Sequence, residues 1–400
     1  LEARQAGAAA AEAGAAAANL PIVSAQAGYM RTNHVEEFII AVPGAPPRVV
    51  YPDIPGNYRS RLDLQWPIFS AGRTDALERA ARAEVNAAGE DLAAARADLK
   101  LEITRAYWAV VTARETEQVV ARSLASLDAH VQDLRARLDQ GLIPPNEVLS
   151  AEAQRSRQRV LSIESSNARA VAESDLQRLT GTRGQTLNFE FPIFSCQVPP
   201  CGPAGPGTKN PEIQNSRSDP QRAERRALEQ RLTAARERET AVRAGGKPHV
   251  FVAGGFDYAR PNPRIFPRVD RWEDAWDASV NVSWTLWDGG RRAAEQAQAA
   301  AAARALEARI TDFDRHVTFE VEARRLDLDS ARAAIAAAED GVRSAVEARR
   351  VVAERFAVGV VTSTDVLDAE VAVLQAELDR TRAVANARLA EARLERALGR

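Results

Sequence analysis

Side chains able to do chemistry are few in this chain, and they are scattered. The four histidines, His34, His130, His249 and His316, lie far apart, and none has a second His or Cys at metal-ligand spacing, so no metal site is expected. Cys196 and Cys201 form a lone C-x4-C pair. Two ligands do not make a zinc site, and in an oxidising compartment a disulfide pinning that loop is the better expectation. No glycine-rich phosphate loop, nucleophile elbow or clustered acid–base pair is present, so neither an enzyme nor a bound cofactor is expected. One acidic pair remains, Asp365 and Asp368. Thr362-Ser-Thr-Asp365 has the spacing of a helix N-cap box, and an acidic side chain in a first turn stabilises a helix by ~0.3–1 kcal/mol through its dipole.

The elements that carry these residues must fit the composition. The chain has 400 residues, 45% hydrophobic, 27% charged and 6% aromatic. Its 53 basic and 55 acidic side chains leave a net charge of −2, which removes the broad basic face that nonspecific nucleic-acid binding requires. Mean hydropathy is −0.32, and no run of eighteen strongly apolar residues offers a membrane-spanning helix. The Ala-rich opening from Leu1 to Asn19 is broken by Glu2, Arg4 and Glu12, and it lacks the features of a targeting peptide.

An internal repeat organises the chain. Trp66-Pro-Ile-Phe-Ser-Ala-Gly-Arg73 sets over Trp284-Thr-Leu-Trp-Asp-Gly-Gly-Arg291 at an offset of 218 residues. The same offset pairs Gly141 with Gly359, Val148-Leu149 with Val366-Leu367, and Gly181 with Gly399. Upstream, Pro21 pairs with Pro248 at offset 227, so the first copy carries nine extra residues between Pro21 and Trp66. The expected divisions are a first repeat over 1–181, a linker over 182–224 and a second repeat over 225–400. In each repeat about seventy residues without Pro, rich in Ala, Arg, Glu and Leu, follow Gly72 or Gly290 and read as a long helix. Val120, Leu124, Leu127, Val131, Leu134 and Leu138 step by heptad spacing, as do Ala338, Val342, Ala345, Val352 and Phe356 with Arg349 as the one break. The predicted helices are 72–140, 145–180, 290–357 and 363–398. At ~1.5 Å per residue the longer ones reach ~100 Å.

Ahead of the long helices the period changes to two. Trp276, Ala278, Val280, Val282, Trp284 and Leu286 alternate with Asp277, Ser279, Asn281, Ser283 and Thr285, and the segment from Tyr58 to Ile68 alternates likewise. With shorter partners near Val23 and Val250, this predicts two strand pairs, about 21–69 and 248–287, each strand having one greasy and one wet face. Such strands suit either an ordinary sheet packed on a soluble surface or a membrane barrel closed by several chains, since an open sheet edge cannot sit in lipid.

The repeated order of strand pair, Trp284-Thr-Leu-Trp-Asp-Gly-Gly-Arg291, long helix, glycine turn and Arg355-Phe-Ala-Val-Gly-Val-Val-Thr-Ser-Thr-Asp-Val-Leu-Asp-Ala369 resembles the TolC family of outer-membrane efflux and secretion channels. The resemblance covers nearly the whole chain, twice. It implies a mainly α fold with β: long antiparallel helical hairpins in a trimeric α-barrel tunnel, and four strands per chain in a 12-stranded trimeric membrane β-barrel. It implies an outer-membrane homotrimer with a periplasmic tunnel, conducting passively for a tripartite efflux pump or a type I secretion system. Its partners would be a periplasmic adaptor and an inner-membrane transporter of RND or ABC type. The linker would lie in a belt around the tunnel.

The family pattern maps onto particular residues. Asp365 and Asp368 match carboxylates that ring the periplasmic constriction, where they would favour cations; capping of the helix is a second role for Asp365 that does not exclude the first. Where some members tie the closed tip with a Tyr and an Arg, this chain has Phe356 and Val361, so other ties are needed, and Asn146 and Glu147 stand opposite Thr364 and Asp365 to supply some. Gly141, Leu142, Val358, Gly359 and Val360 match the adaptor-docking tips, although Gly141 and Gly359 also serve simply to end helices. Trp66, Trp276, Val280, Val282 and Trp284 would face outer-membrane lipid. The competing class is a soluble, elongated coiled-coil scaffold whose two hairpins bind protein partners.

Overall fold

A computed structural model describes residues 1–41, 43–44, 46–181 and 222–400. Cys196, Cys201 and nearly all of the expected linker lie outside the described residues. The elements in chain order are α1 (Glu2–Ala17), β1 (Ile22–Arg31), β2 (Phe38–Ile40), β3 (Arg48–Tyr51), β4 (Gly56–Phe69), α2 (Arg73–Asp139) and α3 (Pro145–Thr180). After the undescribed stretch come α4 (Ala223–Ala244), β5 (His249–Arg260), β6 (Glu273–Ser283), α5 (Arg291–Ala357) and α6 (Ser363–Ala397). Among the described residues no helix is long and apolar enough to cross a membrane.

The chain divides into two compact units, each built from both repeats. The first comprises Leu1–Leu92 and Glu224–Asp312. Its sheet has four antiparallel strands in the order β1-β4-β5-β6, with Leu62 opposite Phe256 and Phe256 opposite Trp276. The period-two pattern sorts the side chains by face. On one face Tyr29, Leu62, Leu64, Trp66, Phe256, Trp276, Val280 and Val282 are all exposed. On the other lie Arg59, Arg61, Asp63, Asp257, Asp277, Ser279 and Asn281. The outermost strands β1 and β6 each pair on one side only. The connection from β1 to β4 holds a small β2–β3 hairpin that strand periodicity did not anticipate, and it accommodates the extra length of the first copy.

The helices of this unit pack through alanine. Ala76, Ala80, Ala83 and Ala87 on α2 and Ala227, Ala234, Ala235, Ala241 and Ala244 on α4 are buried. So small a side chain lets backbones approach closely, and long charged pairs flank the seam: Arg79–Glu237 at 2.8 Å, Arg238–Glu84 at 2.9 Å and Arg226–Glu90 at 2.8 Å. The repeat appears in its hydrogen bonds. Trp66 Nε1 donates to the Asn19 carbonyl (3.2 Å), and Trp284 Nε1 donates to the Gly246 carbonyl (3.1 Å), the matching position of the second copy.

The second unit comprises Ala93–Ala223 and Phe313–Arg400. Here the heptad stripes meet. Val119 and Val120 of α2 pack with Leu374 of α6, Ala106 and Val110 of α2 with Leu176 of α3, and Val317 and Val321 of α5 with Ala397. Arg114–Glu173 (2.8 Å) crosses the α2–α3 pair and Arg396–Asp98 (2.6 Å) the α2–α6 pair.

Candidate functional site

The free end of the second unit, where α2 turns into α3 and α5 into α6, gathers most of the sequence-predicted site residues. Both helix ends close in the same way. Gly141 N–H donates to Leu138 O (2.8 Å) and Leu142 N–H to Arg137 O (2.9 Å); Gly359 N–H donates to Phe356 O (3.0 Å) and Val360 N–H to Arg355 O (3.0 Å). These are Schellman caps, which need a left-handed residue, and the two glycines supply φ of +72° and +75°. Leu142, Val358 and Val360 are left exposed at the turns.

The starts of the following helices differ. Pro144 precedes α3 with no side-chain cap, whereas Thr362 opens α6 with a complete capping box. Asp365 Oδ2 accepts from Thr362 N–H (2.7 Å) and Thr362 Oγ1 (2.8 Å), and Thr362 Oγ1 accepts from Asp365 N–H (3.4 Å). The Thr362 hydroxyl, then its N–H, hold the Asp365 carboxyl below the usual carboxylate range. Asp365 and Asp368 are both exposed and one turn apart; Asn146 is exposed and Glu147 half-buried.

Behind these groups sits an apolar cluster of Leu127, Val131, Leu134, Val148, Ala151, Phe356, Val366 and Leu367, with Val361 packed against it. Phe356, the last residue of the second heptad stripe, is 8% exposed, because an aromatic ring without a hydroxyl gains more from burial than from water. The His130 ring meets it edge-on at 5.5 Å, and the Arg137 guanidinium lies 4.8 Å over its face.

Polar bonds join the two hairpins within this apolar setting. His130 Nε2 lies 3.1 Å from Ser363 Oγ and Ser126 Oγ donates to Glu370 Oε1 (2.9 Å), while within the second hairpin Arg349 Nη1 is 3.6 Å from Glu370 Oε2. Burial pushes the His130 imidazole below its ordinary value, outweighing Asp133, Glu370 and Glu147, which act the other way. None of Ser126, Arg349, Glu370 or Ser363 stood out as a site residue. The available signal was Arg349, the one charge in an otherwise apolar heptad stripe.

In the first unit, Trp66, Trp276, Val280 and Val282 occupy the exposed apolar face, with Trp276 75% exposed. β6 ends at Ser283, so Trp284 stands one residue past the strand rather than within it, with its indole N–H turned to the backbone.

Comparison with known proteins bears on both units. A 215-residue stretch is 29% identical to Protein CyaE of Bordetella pertussis, over 52% of this chain and 39% of CyaE, so the match spans about two fifths of that relative's length. The fold is shared with the outer membrane protein VceC of Vibrio cholerae, at 20% identity and a TM-score of 0.76 over 100% of this chain and 91% of VceC. It is also shared with the open-state outer membrane channel MtrE of Neisseria gonorrhoeae, at 18% identity and a TM-score of 0.73 over 99% and 84%. The outer membrane efflux protein family model matches residues 1–182 and 220–400, both copies of the repeat, and the chain belongs to that family.

Proposed function

We propose that three copies of this chain form a passive exit duct through the outer membrane. The observation that carries the reading is the four-stranded sheet with an exposed apolar face, a charged opposite face and two unpaired edges. Unpaired edges are excluded from lipid, so the sheet needs copies of itself on both sides; twelve strands close a barrel with its apolar face outward and its charged face around water. The helices support the same closure. On α3 Leu149, Val160, Ile163 and Val171 remain exposed on the side away from the buried Val148, Ala151 and Leu176, and on α5 Phe319 and Leu326 do the same. Helices with a second apolar stripe suit packing against neighbouring copies in a ring.

At the free end, rings of Asp365 and Asp368 would narrow the duct and favour cations, with Asn146 and Glu147 beside them. The exposed turns at Leu142, Val358 and Val360 would receive the helical hairpin of a periplasmic adaptor, which couples the duct to an inner-membrane transporter of RND or ABC type. The scaffold alternative accounts for the helices but gives no reason for a sheet with one greasy and one charged face. Detergent-extracted membranes should yield a trimer that conducts ions in a planar bilayer; recovery as a monomer in the aqueous periplasmic extract would overturn the reading.

A further inference from the structure

Six charges lie together on the polar face of the sheet, near the β5–β6 connection and away from the helices. At their centre is Asp257, whose side chain is 1% exposed. It accepts from Arg59 Nε (2.7 Å) and Arg61 Nη1 (2.5 Å), and Arg264 Nε approaches to 3.5 Å. Arg61 also donates through Nε to Asp63 (2.7 Å), and its Nη2 is 3.5 Å from Asp277 Oδ1. Arg264 pairs with Asp277 as well. It reaches back from the connection because Asn262, itself buried, accepts from the Arg264 N–H (3.0 Å) and donates to the Glu273 carbonyl (3.0 Å).

The arrangement depends on one glycine. Arg61 lies across β5 at Gly255, where a Cβ would come within 2.9 Å of Arg61 Cζ and 3.0 Å of Asp277 Oδ1. Any other residue there would lift the guanidinium off the sheet. Gly255 thus lets a long cation lie flat, shared among three carboxylates. Three guanidiniums and three carboxylates cancel, and the cluster projects no net charge. The contrast with the free end of the helices is sharp: Asp365 bonds to Thr362, Asp368 stands exposed, and neither has an ion pair among the described residues.

We propose that Asp257 is a specificity-determining residue that keeps the barrel lumen electrically neutral, so that cations and anions pass it alike and charge selection is confined to the Asp365–Asp368 end. The inference rests on the exit-duct reading, because only a closed barrel turns this face into a lumen. Removing the central carboxylate leaves three guanidiniums with two partners, and three copies carry that excess positive charge within roughly a Debye length of passing ions.

The test is the reversal potential of the detergent-purified trimer in a planar bilayer under a KCl gradient. It is measured in the wild type and in a background carrying Asp365→Asn and Asp368→Asn, so that the acidic end does not mask the barrel. Asp257→Asn should lower the potassium-to-chloride permeability ratio by about twofold or more, and Arg61→Gln should raise it by a similar factor. Gly255→Ala, which changes no formal charge, should shift the ratio in the direction of Asp257→Asn by lifting Arg61 toward the lumen. Should Asp257→Asn fail to assemble, Asp277→Asn, at a half-exposed member of the cluster, should move the ratio the same way. A conducting wild type whose ratio is unchanged in every variant overturns the inference, whereas a wild type that never conducts overturns the exit-duct reading instead.

Discussion

Replacing Asp365 by asparagine and, separately, Thr362 by alanine separates the cap that this carboxylate makes at the start of α6 from the cation selection proposed for it. Thr362→Ala removes the hydroxyl that accepts from Asp365 N–H and donates to Asp365 Oδ2, but it keeps the charge and the Thr362 N–H bond at 2.7 Å. Losing an N-cap side chain costs about 1 kcal/mol, roughly a fivefold rise in the frayed population of the first turn. Asp365→Asn keeps an oxygen for the Thr362 N–H and loses the charge, so the helix forfeits the dipole contribution and the charge assistance to that bond but keeps the Thr362 cap. Hydrogen exchange over residues 363–367 should therefore speed up about fivefold in Thr362→Ala and less in Asp365→Asn. The potassium-to-chloride permeability ratio should respond in the opposite order: Asp365→Asn lowers it, further with Asp368→Asn, and Thr362→Ala leaves it near the wild-type value. If the ratio follows fraying rather than charge, or if the double asparagine variant keeps full cation preference, the carboxylates do not select ions and Asp365 is a cap alone.

The remaining predictions concern the cluster behind that turn and the apolar face of the sheet. His130 has a folded-state pKa below its ordinary value, so its contribution to stability is complete above about pH 6.5 and is lost as pH falls below that toward the folded value. The groups facing it are Asp133 and Arg137 on α2, Glu147 on α3 and Glu370 on α6, while α5 presents the Phe356 ring. The melting temperature of the trimer should fall between pH 7 and pH 5 and do so much less in His130→Gln; equal falls in the two proteins would remove His130 as the cause. In single-tryptophan variants reconstituted with brominated lipid, Trp276 should be strongly quenched and the helix residue Trp108 should not, and the reverse order would place the apolar face away from lipid.

What the sequence made legible follows from how local each signal is. The helices and their turns were readable because heptad spacing and a left-handed glycine are written within a few residues: Gly141 and Gly359 sit where the caps close. Strand alternation was readable for the same reason, and it ran past the true end of β6 because Trp284 continues the period while its indole bonds to Gly246. The contacts that define the candidate site are not local. Ser126 and Glu370 are separated by 244 positions and Arg61 and Asp257 by 196, so neither residue type nor spacing announces them. Phe356 is the intermediate case: its heptad position announces an apolar neighbour, and the cluster of Val131, Leu134 and Leu367 that receives it comes from three helices.

Divergence between the two copies shapes each charged feature differently. At the repeat offset Arg59 corresponds to Asp277, Arg61 to Ser279 and Asp63 to Asn281. In the sheet Asp63 and Asp277 flank Gly255 from its two sides, and Arg61 stands opposite Asp257. Aspartate in the second copy, where the first has Arg59, gives Arg61 a carboxylate to reach across Gly255. At the helix turns Glu147 corresponds to Asp365, yet only the second copy places threonine, against Pro144, where a side chain can cap the helix and fix the carboxylate. A duplicated chain in a trimer would otherwise present six equivalent positions around one axis. Sequence differences between its halves are what bring opposite charges together in the sheet, whereas at the helix turns both halves keep an acid, Glu147 and Asp365, and differ in which one is held by a cap.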